Sequence, residues 1–117
     1  YVDNGRLFAA LGVAEAVRVA QKLGVGEIYL TSINRDGTGR GLDIESLKNI
    51  APLIGCPLIA SGGAGTYDHF VEALRAPYVS GVSTANLFNF MSDNLTEARN
   101  HVIRSGIPLA WWSKLDQ

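Results

Sequence analysis

The apolar positions of this chain change period several times, and each change marks an element. Val13, Ala16, Val17, Ala20 and Leu23 recur at helical spacing, with Arg18, Gln21 and Lys22 on the other faces. Lys22 falls in the last turn of that predicted helix, and Gly24 is placed to stop it. Glu27-Ile28-Tyr29-Leu30-Thr31-Ser32-Ile33 is then a mostly apolar run, as expected of a parallel strand covered on both sides. Asn34 to Gly41 is polar and glycine-rich, which predicts a loop. It is long for a strand-to-helix connection, and such loops often carry function. Asp43 can cap a second helix whose apolar face is Ile44, Leu47, Ala51 and Ile54. Gly55 is placed to end that helix and Pro52 to distort its last turn.

Pro57 to Ala60 predicts a second buried strand, and Ser61-Gly62-Gly63-Ala64-Gly65 follows it directly. Thr66 is a candidate N-cap for a third helix with Phe70, Val71, Ala73 and Leu74 on its apolar face. Tyr78 to Ala85, small and β-branched, predicts a third strand. Asn86 to Phe90 is partly apolar, and a last helix is expected from Leu95 to Ser105, stopping at Gly106. Residues 1–11 carry little pattern beyond the turn signal Asp3-Asn4-Gly5. Residues 107–117 form an apolar tail, with Trp111 and Trp112, that needs a surface to pack on. The whole of 1–117 reads as one domain.

Strands alternating with helices imply an α/β fold with a parallel sheet and right-handed crossovers. Leu58 follows Ile28 by 30 residues and Val79 follows Leu58 by 21, a rhythm shared by doubly wound sheets and (β/α)8 barrels. Three strands cannot close a barrel. The outer strands would show unpaired backbone groups and bare apolar faces. The chain is therefore expected to be part of a barrel, or to pair with another copy. The alternative is a small open sheet with the N-terminal segment as an extra strand.

Composition narrows the function classes. With 117 residues, 47% hydrophobic and net charge −1, the chain offers no strongly basic surface for nucleic acid. No apolar run approaches the roughly 18 residues of a membrane span. The start, Tyr1 to Arg6, lacks the plan of a signal peptide and an initiator Met, so a piece of something longer is expected. The single cysteine, Cys56, cannot form an internal disulfide and reads as a buried inert thiol, fitting a reducing, cytoplasmic setting. His69 and His101 have no metal-ligand partner at useful spacing, so both read as ordinary helix residues; no metal and no cofactor is expected.

The glycine stretch carries the clearest chemistry. A strand, a glycine turn and a helix N-terminus make an anion cradle, because glycine lets a ligand approach the backbone and free N–H groups favour phosphate. The competing reading is a tight turn with no ligand. Asp36 sits at the mouth of the first strand, and between Arg35 and Gly37 it reads as a loop turn former.

Glu27 to Thr38 closely resembles the sixth-strand motif of the cyclase subunit of imidazole glycerol phosphate synthase. Pro57 to Gly65 is similar to its seventh-strand motif, Asp68-His69-Phe70 and Glu72-Ala73 to the helix that follows, and Ala85 to Phe90 to its eighth-strand end. The resemblance spans nearly all of residues 12–112. It implies a partial (β/α)8 TIM barrel: a half-barrel of strands six to eight with flanking helices. It implies an ammonia-using lyase that cyclises a phosphoribosyl-type ribonucleotide, fed by a glutaminase subunit, in histidine biosynthesis. A sister group that amidates sugars in surface-polysaccharide synthesis is the alternative, and a non-catalytic self-associating half-barrel is another.

On these positions the resemblance implies that Gly62 and Gly63 donate backbone N–H groups to phosphate and that Ala85 and Asn86 complete the cradle. Asn86 stands where the family usually has Ser. Thr31 and Ser61 would line the mouth as hydroxyl donors, and Asp36 would support acid–base chemistry. Asn34 stands where the family often has a second Asp. The family's principal aspartates, on its first and fifth strands, have no counterpart in these 117 residues. This chain alone is thus expected to bind a phosphate ion or phosphorylated small molecule without turning it over, and to form a homo-oligomer that completes the sheet.

Overall fold

A computed structural model describes residues 12–90 and 95–110 of the chain. Helix α1 (Val13–Lys22) leads into strand β1 (Ile28–Thr31), α2 (Ile44–Ile50), β2 (Leu58–Ser61), α3 (Tyr67–Arg75), β3 (Gly81–Ser83), α4 (Leu87–Phe90) and α5 (Leu95–Arg104). The sheet is parallel, in the order β1-β2-β3. Its register places Thr31 beside Ser61 and Ser61 beside Ser83, so all three strands end at one level. This is the expected α/β alternation with a parallel sheet. The N-terminal segment proposed as an extra strand, and Trp111 and Trp112, lie outside the described residues.

Strands β1 and β3 are shorter than their apolar runs, while β2 keeps its expected length one residue later, and backbone hydrogen bonds say why β1 and β3 are cut short. After Thr31 the N–H of Ser32 still donates to Ser61 O at 3.1 Å. The carbonyl of Ser32 then accepts from the N–H groups of Arg35 and Asp36, which turns the chain away. At β3 the expected start at Tyr78 fails because Val79 N–H bonds back to Ala76 O in a turn. The first cross-strand bond is Ser80 N–H to Leu58 O, at 2.8 Å.

Helix α2 also stops early. Pro52 has no N–H, and the chain tightens into a 3-10 turn at Ala51–Leu53. Gly55 does not cap that helix: its N–H donates to Gln21 Oε1 at 2.7 Å. Gln21 Nε2 in turn donates to Leu53 O at 2.6 Å, so one side-chain amide of α1 holds this turn. Of the predicted α1 stripe only Val17 is buried. Leu23, expected on the apolar face, is instead the C-cap and is 79% exposed, because α1 rests mainly on the 3-10 turn.

Alternation along the strands sorts the two faces of the sheet. Ile28, Leu30, Leu58, Ala60 and Val82 face the helices and join a core with Leu47, Ile50, Phe70, Val71, Ala73, Ala98 and Val102. Leu58 and Ala60, on the central strand, are 1% and 0% exposed. The opposite face carries Tyr29, Thr31, Ile59, Ser61, Gly81 and Ser83. It is therefore largely hydroxylic; its apolar surface is the Tyr29 ring, in a residue 57% exposed, and the half-buried Ile59. On the helical side His101 Nε2 meets Asp68 Oδ1 at 2.7 Å and ties α5 to α3. Cys56, expected buried, is half-buried. No helix among the described residues is long and apolar enough to cross a membrane.

Candidate functional site

Parallel strands end together, so the loops after β1, β2 and β3 gather at one end of the sheet. Thr31, Ser61 and Ser83 form a row at that end. Tyr29 reaches across from β1: its hydroxyl donates to Ser61 Oγ at 3.0 Å and lies 2.7 Å from Ser83 Oγ, from which it accepts, having one proton to give. Ser61 is thus partly engaged within the sheet, whereas Thr31 is exposed beside it. Sequence reasoning named Thr31 and Ser61 and missed Tyr29 and Ser83. The period of two was the signal available, since Tyr29 shares a face with Thr31. A cavity of about 400 Å³ lies where β1 meets α1 and α2, lined by Val13, Leu30, Thr31, Leu47, Ile50 and Ser61 among others; Gly62, Gly63, Ala64, Asp36 and Asn86 do not line it.

The glycine turn follows Ser61. Gly62 and Gly63 have φ of +91° and +101°, the left-handed region that L side chains avoid. A Cβ on Gly62 would lie 2.6 Å from Ser32 O, and one on Gly63 would strike Gly41 O and lie 2.9 Å from Arg35 Cβ. The loop from Ser32 to Gly41 is packed directly on the turn, and Gly41 N–H donates to Gly63 O at 2.8 Å. That packing explains the glycines without a ligand. The N–H groups are a separate matter. Gly62, Gly63 and Ala64 are buried, and among the described residues their N–H groups donate to no protein acceptor.

Asn86 and Asp36 flank the same region. A Cβ on Gly37 would lie 4.0 Å from Asn86 Nδ2, so the amide from the end of β3 reaches the loop that carries Asp36. Ala85 is exposed and Asn86 half-buried. The Asp36 carboxylate is exposed and makes no hydrogen bond or ion pair among the described residues. A turn-forming Asp would bond its own loop backbone. In this loop Thr38 does that work: its hydroxyl donates to Arg35 O at 2.6 Å and accepts from Arg40 N–H. Among the described residues no group of three His, Cys, Asp or Glu is placed to hold a metal.

Asp43 and Thr66 cap the helices that leave these loops. Thr66 Oγ1 accepts from His69 N–H at 3.4 Å, and Asp43 Oδ1 from Ser46 N–H at 3.1 Å. Ser46 Oγ also donates to Asp43 Oδ2 at 2.7 Å. Chiefly through that hydroxyl, and further through the Ser46 N–H, the charge of Arg35 and the Ser32 hydroxyl, the Asp43 carboxyl is held below its ordinary value, with burial opposing. A folded pKa below the unfolded one stabilises the fold at pH above about 3.9, and the contribution is lost as pH falls through the folded value. Replacing Asp43 by Ala is expected to cost about 1 kcal/mol at neutral pH. Urea titrations at several pH values should show the gap to wild type narrowing in acid.

The strands, the loops at their common end and the glycine turn before α3 are the plan of an α/β protein compatible with a partial (β/α)8 barrel. The chain belongs to the histidine biosynthesis protein family, whose model matches residues 1–93. Among solved structures, a chain in the crystal structure of the Amycolatopsis orientalis BexX/CysO complex is similar with TM-score 0.58 and 16% identity. The match covers 83% of this chain and 43% of that one. At that identity the likeness is one of fold, and this chain spans less than half of the longer protein.

Proposed function

We propose that this chain is the C-terminal part of an imidazole glycerol phosphate synthase cyclase-like barrel, and that the glycine turn holds a phosphate of a phosphoribosyl-type substrate. The observation that carries this reading is the run of unpaired N–H groups at Gly62, Gly63 and Ala64, in buried residues at the head of α3. A phosphate there would accept from backbone donors and face the positive end of the helix dipole. Asn86 and the exposed end at Ala85 close the cradle from β3, and Thr31 and Ser61 offer hydroxyls beside it. Asp36, free of structural bonds, is the carboxylate available to support proton transfer.

Turnover needs acid and base groups on both sides of the reacting atoms. Asp36 supplies one side, so activity as an ammonia-dependent lyase belongs to a completed barrel. Among the described residues β1 and β3 have free outer edges, and the rest of a barrel or a second copy would cover them. A glutaminase partner belongs to that completed assembly.

The test is a titration of the ¹⁵N-labelled 117-residue chain with inorganic phosphate and with ribose 5-phosphate. The amide signals of Gly62, Gly63 and Ala64 should move together and saturate, with Asn86 following. If those amides stay still while others drift with ionic strength, the turn is a packing device and the phosphate reading is wrong.

A further inference from the structure

The sequence marks His69 as an ordinary helix residue, and the structure gives it a specific task. His69 is the third residue of α3, half-buried, and its Nδ1 accepts a hydrogen bond from Gly65 N–H at 3.0 Å. In return its own N–H is held by Thr66, through Oγ1 at 3.4 Å and the carbonyl at 3.2 Å. This is the reciprocal logic of a capping box, with an imidazole where such boxes carry Glu or Gln, and it reaches one residue further back. The other edge of the ring lies against Gly41: a Cβ there would be 3.5 Å from both Cδ2 and Nε2. Gly41 is the residue whose N–H holds Gly63 O. One imidazole thus holds the glycine turn through Gly65 and fills the space that a side chain on Gly41 of the overlying loop would occupy.

We propose that His69 is a positioning residue for the phosphate cradle, holding the glycine turn in its donor-ready shape with an acceptor that brings no negative charge. The inference rests on the phosphate reading of the preceding subsection and adds a reason for the residue type. Because Nδ1 accepts, the neutral ring carries its proton on Nε2. A Glu at this place could satisfy Gly65 N–H equally well as a cap. Its carboxylate would then stand next to the three unpaired N–H groups and repel the anion they are to bind. Gly65 is also removed from the donor set, so of the glycine turn's N–H groups the anion meets those of Gly62, Gly63 and Ala64.

The test compares wild type with His69→Ala, His69→Asn and His69→Glu in the phosphate titration, with melting temperatures taken in parallel. Loss of one positioning hydrogen bond in His69→Ala should weaken phosphate binding about five- to tenfold. His69→Asn, whose side-chain oxygen can stand in for Nδ1, should recover most of it. His69→Glu should melt near wild type yet bind more weakly, with the loss shrinking as salt is raised. A long-range ¹H–¹⁵N spectrum of the wild type should show the Nε2–H tautomer. A purely structural cap predicts that Glu and wild type bind alike. That result, or the Nδ1–H tautomer, overturns the inference, as does a folded His69→Ala with unchanged affinity. If His69→Ala does not fold, Asn and Glu decide it: Glu binding as well as Asn overturns it. A wild type whose Gly62–Ala64 amides ignore phosphate overturns the reading beneath it, and the inference with it.

Discussion

Gly63→Ala is expected to be the most damaging single-methyl change in the described site. Two penalties coincide there. The φ of +101° is one that an alanine adopts only at a cost of about 1–3 kcal/mol. The new Cβ would also run into the carbonyl of Gly41 and sit 2.9 Å from Arg35 Cβ. Backbone cannot swing aside as a flexible side chain can. To admit the methyl, the loop must lift off the turn and surrender the bond from Gly41 N–H to Gly63 O. Together the loss should be on the order of 3–5 kcal/mol, read as a lower urea midpoint. Gly24→Ala is the control that separates the two causes. Gly24 has φ +80° but nothing within 4 Å of its added Cβ, so only the backbone term applies, about 1 kcal/mol. Equal costs at the two positions would mean that the loop does not press on the turn in solution.

That loop also shows what could and could not be read from residues alone. Asp43 and Thr66 were legible as caps because capping is local: an acceptor two or three residues before a free N–H suffices. The alternation of strands and helices was legible for the same reason. Strand ends were not, since Thr31 and Ser83 are followed by residues that could have continued the run. What stops them is that Ser32 O accepts from the N–H groups of Arg35 and Asp36, and the Thr84 hydroxyl accepts from Leu87 N–H. Leu23 fitted a helical stripe but is 79% exposed among the described residues.

The glycines were read as room for a ligand. In the fold their Cα faces are filled by Ser32, Gly39 and Gly41, residues far enough away in sequence that no pattern links them. His69 was missed because its spacing to other ligand-type residues is uninformative. Its partner is a backbone N–H four residues earlier, which every sequence supplies. The candidate site was therefore legible as a list of chemical groups, and the contacts that shape it were not.

Leu58→Ala tests the central strand. Leu58 is 1% exposed, and its carbonyl takes the first bond from β3. Truncating such a side chain removes its burial and leaves a cavity that a sheet held on both sides cannot close. The expected cost is about 2–5 kcal/mol, a large share of the roughly 5–15 kcal/mol that stabilises an ordinary domain. The informative comparison is its neighbour on the other face. Ile59 is half-buried and, among the described residues, is the large aliphatic side chain on a face that also carries Tyr29, Thr31, Ser61, Gly81 and Ser83. If that face is open in solution, Ile59→Ala should cost well under half of what Leu58→Ala costs, at every protein concentration. If a second copy covers it, the Ile59→Ala penalty should grow with concentration until the two variants are comparable, because the lost contact then lies in an interface formed by mass action. Urea midpoints of the two variants at low and high protein concentration would therefore report both the integrity of the core and whether a second copy covers this face.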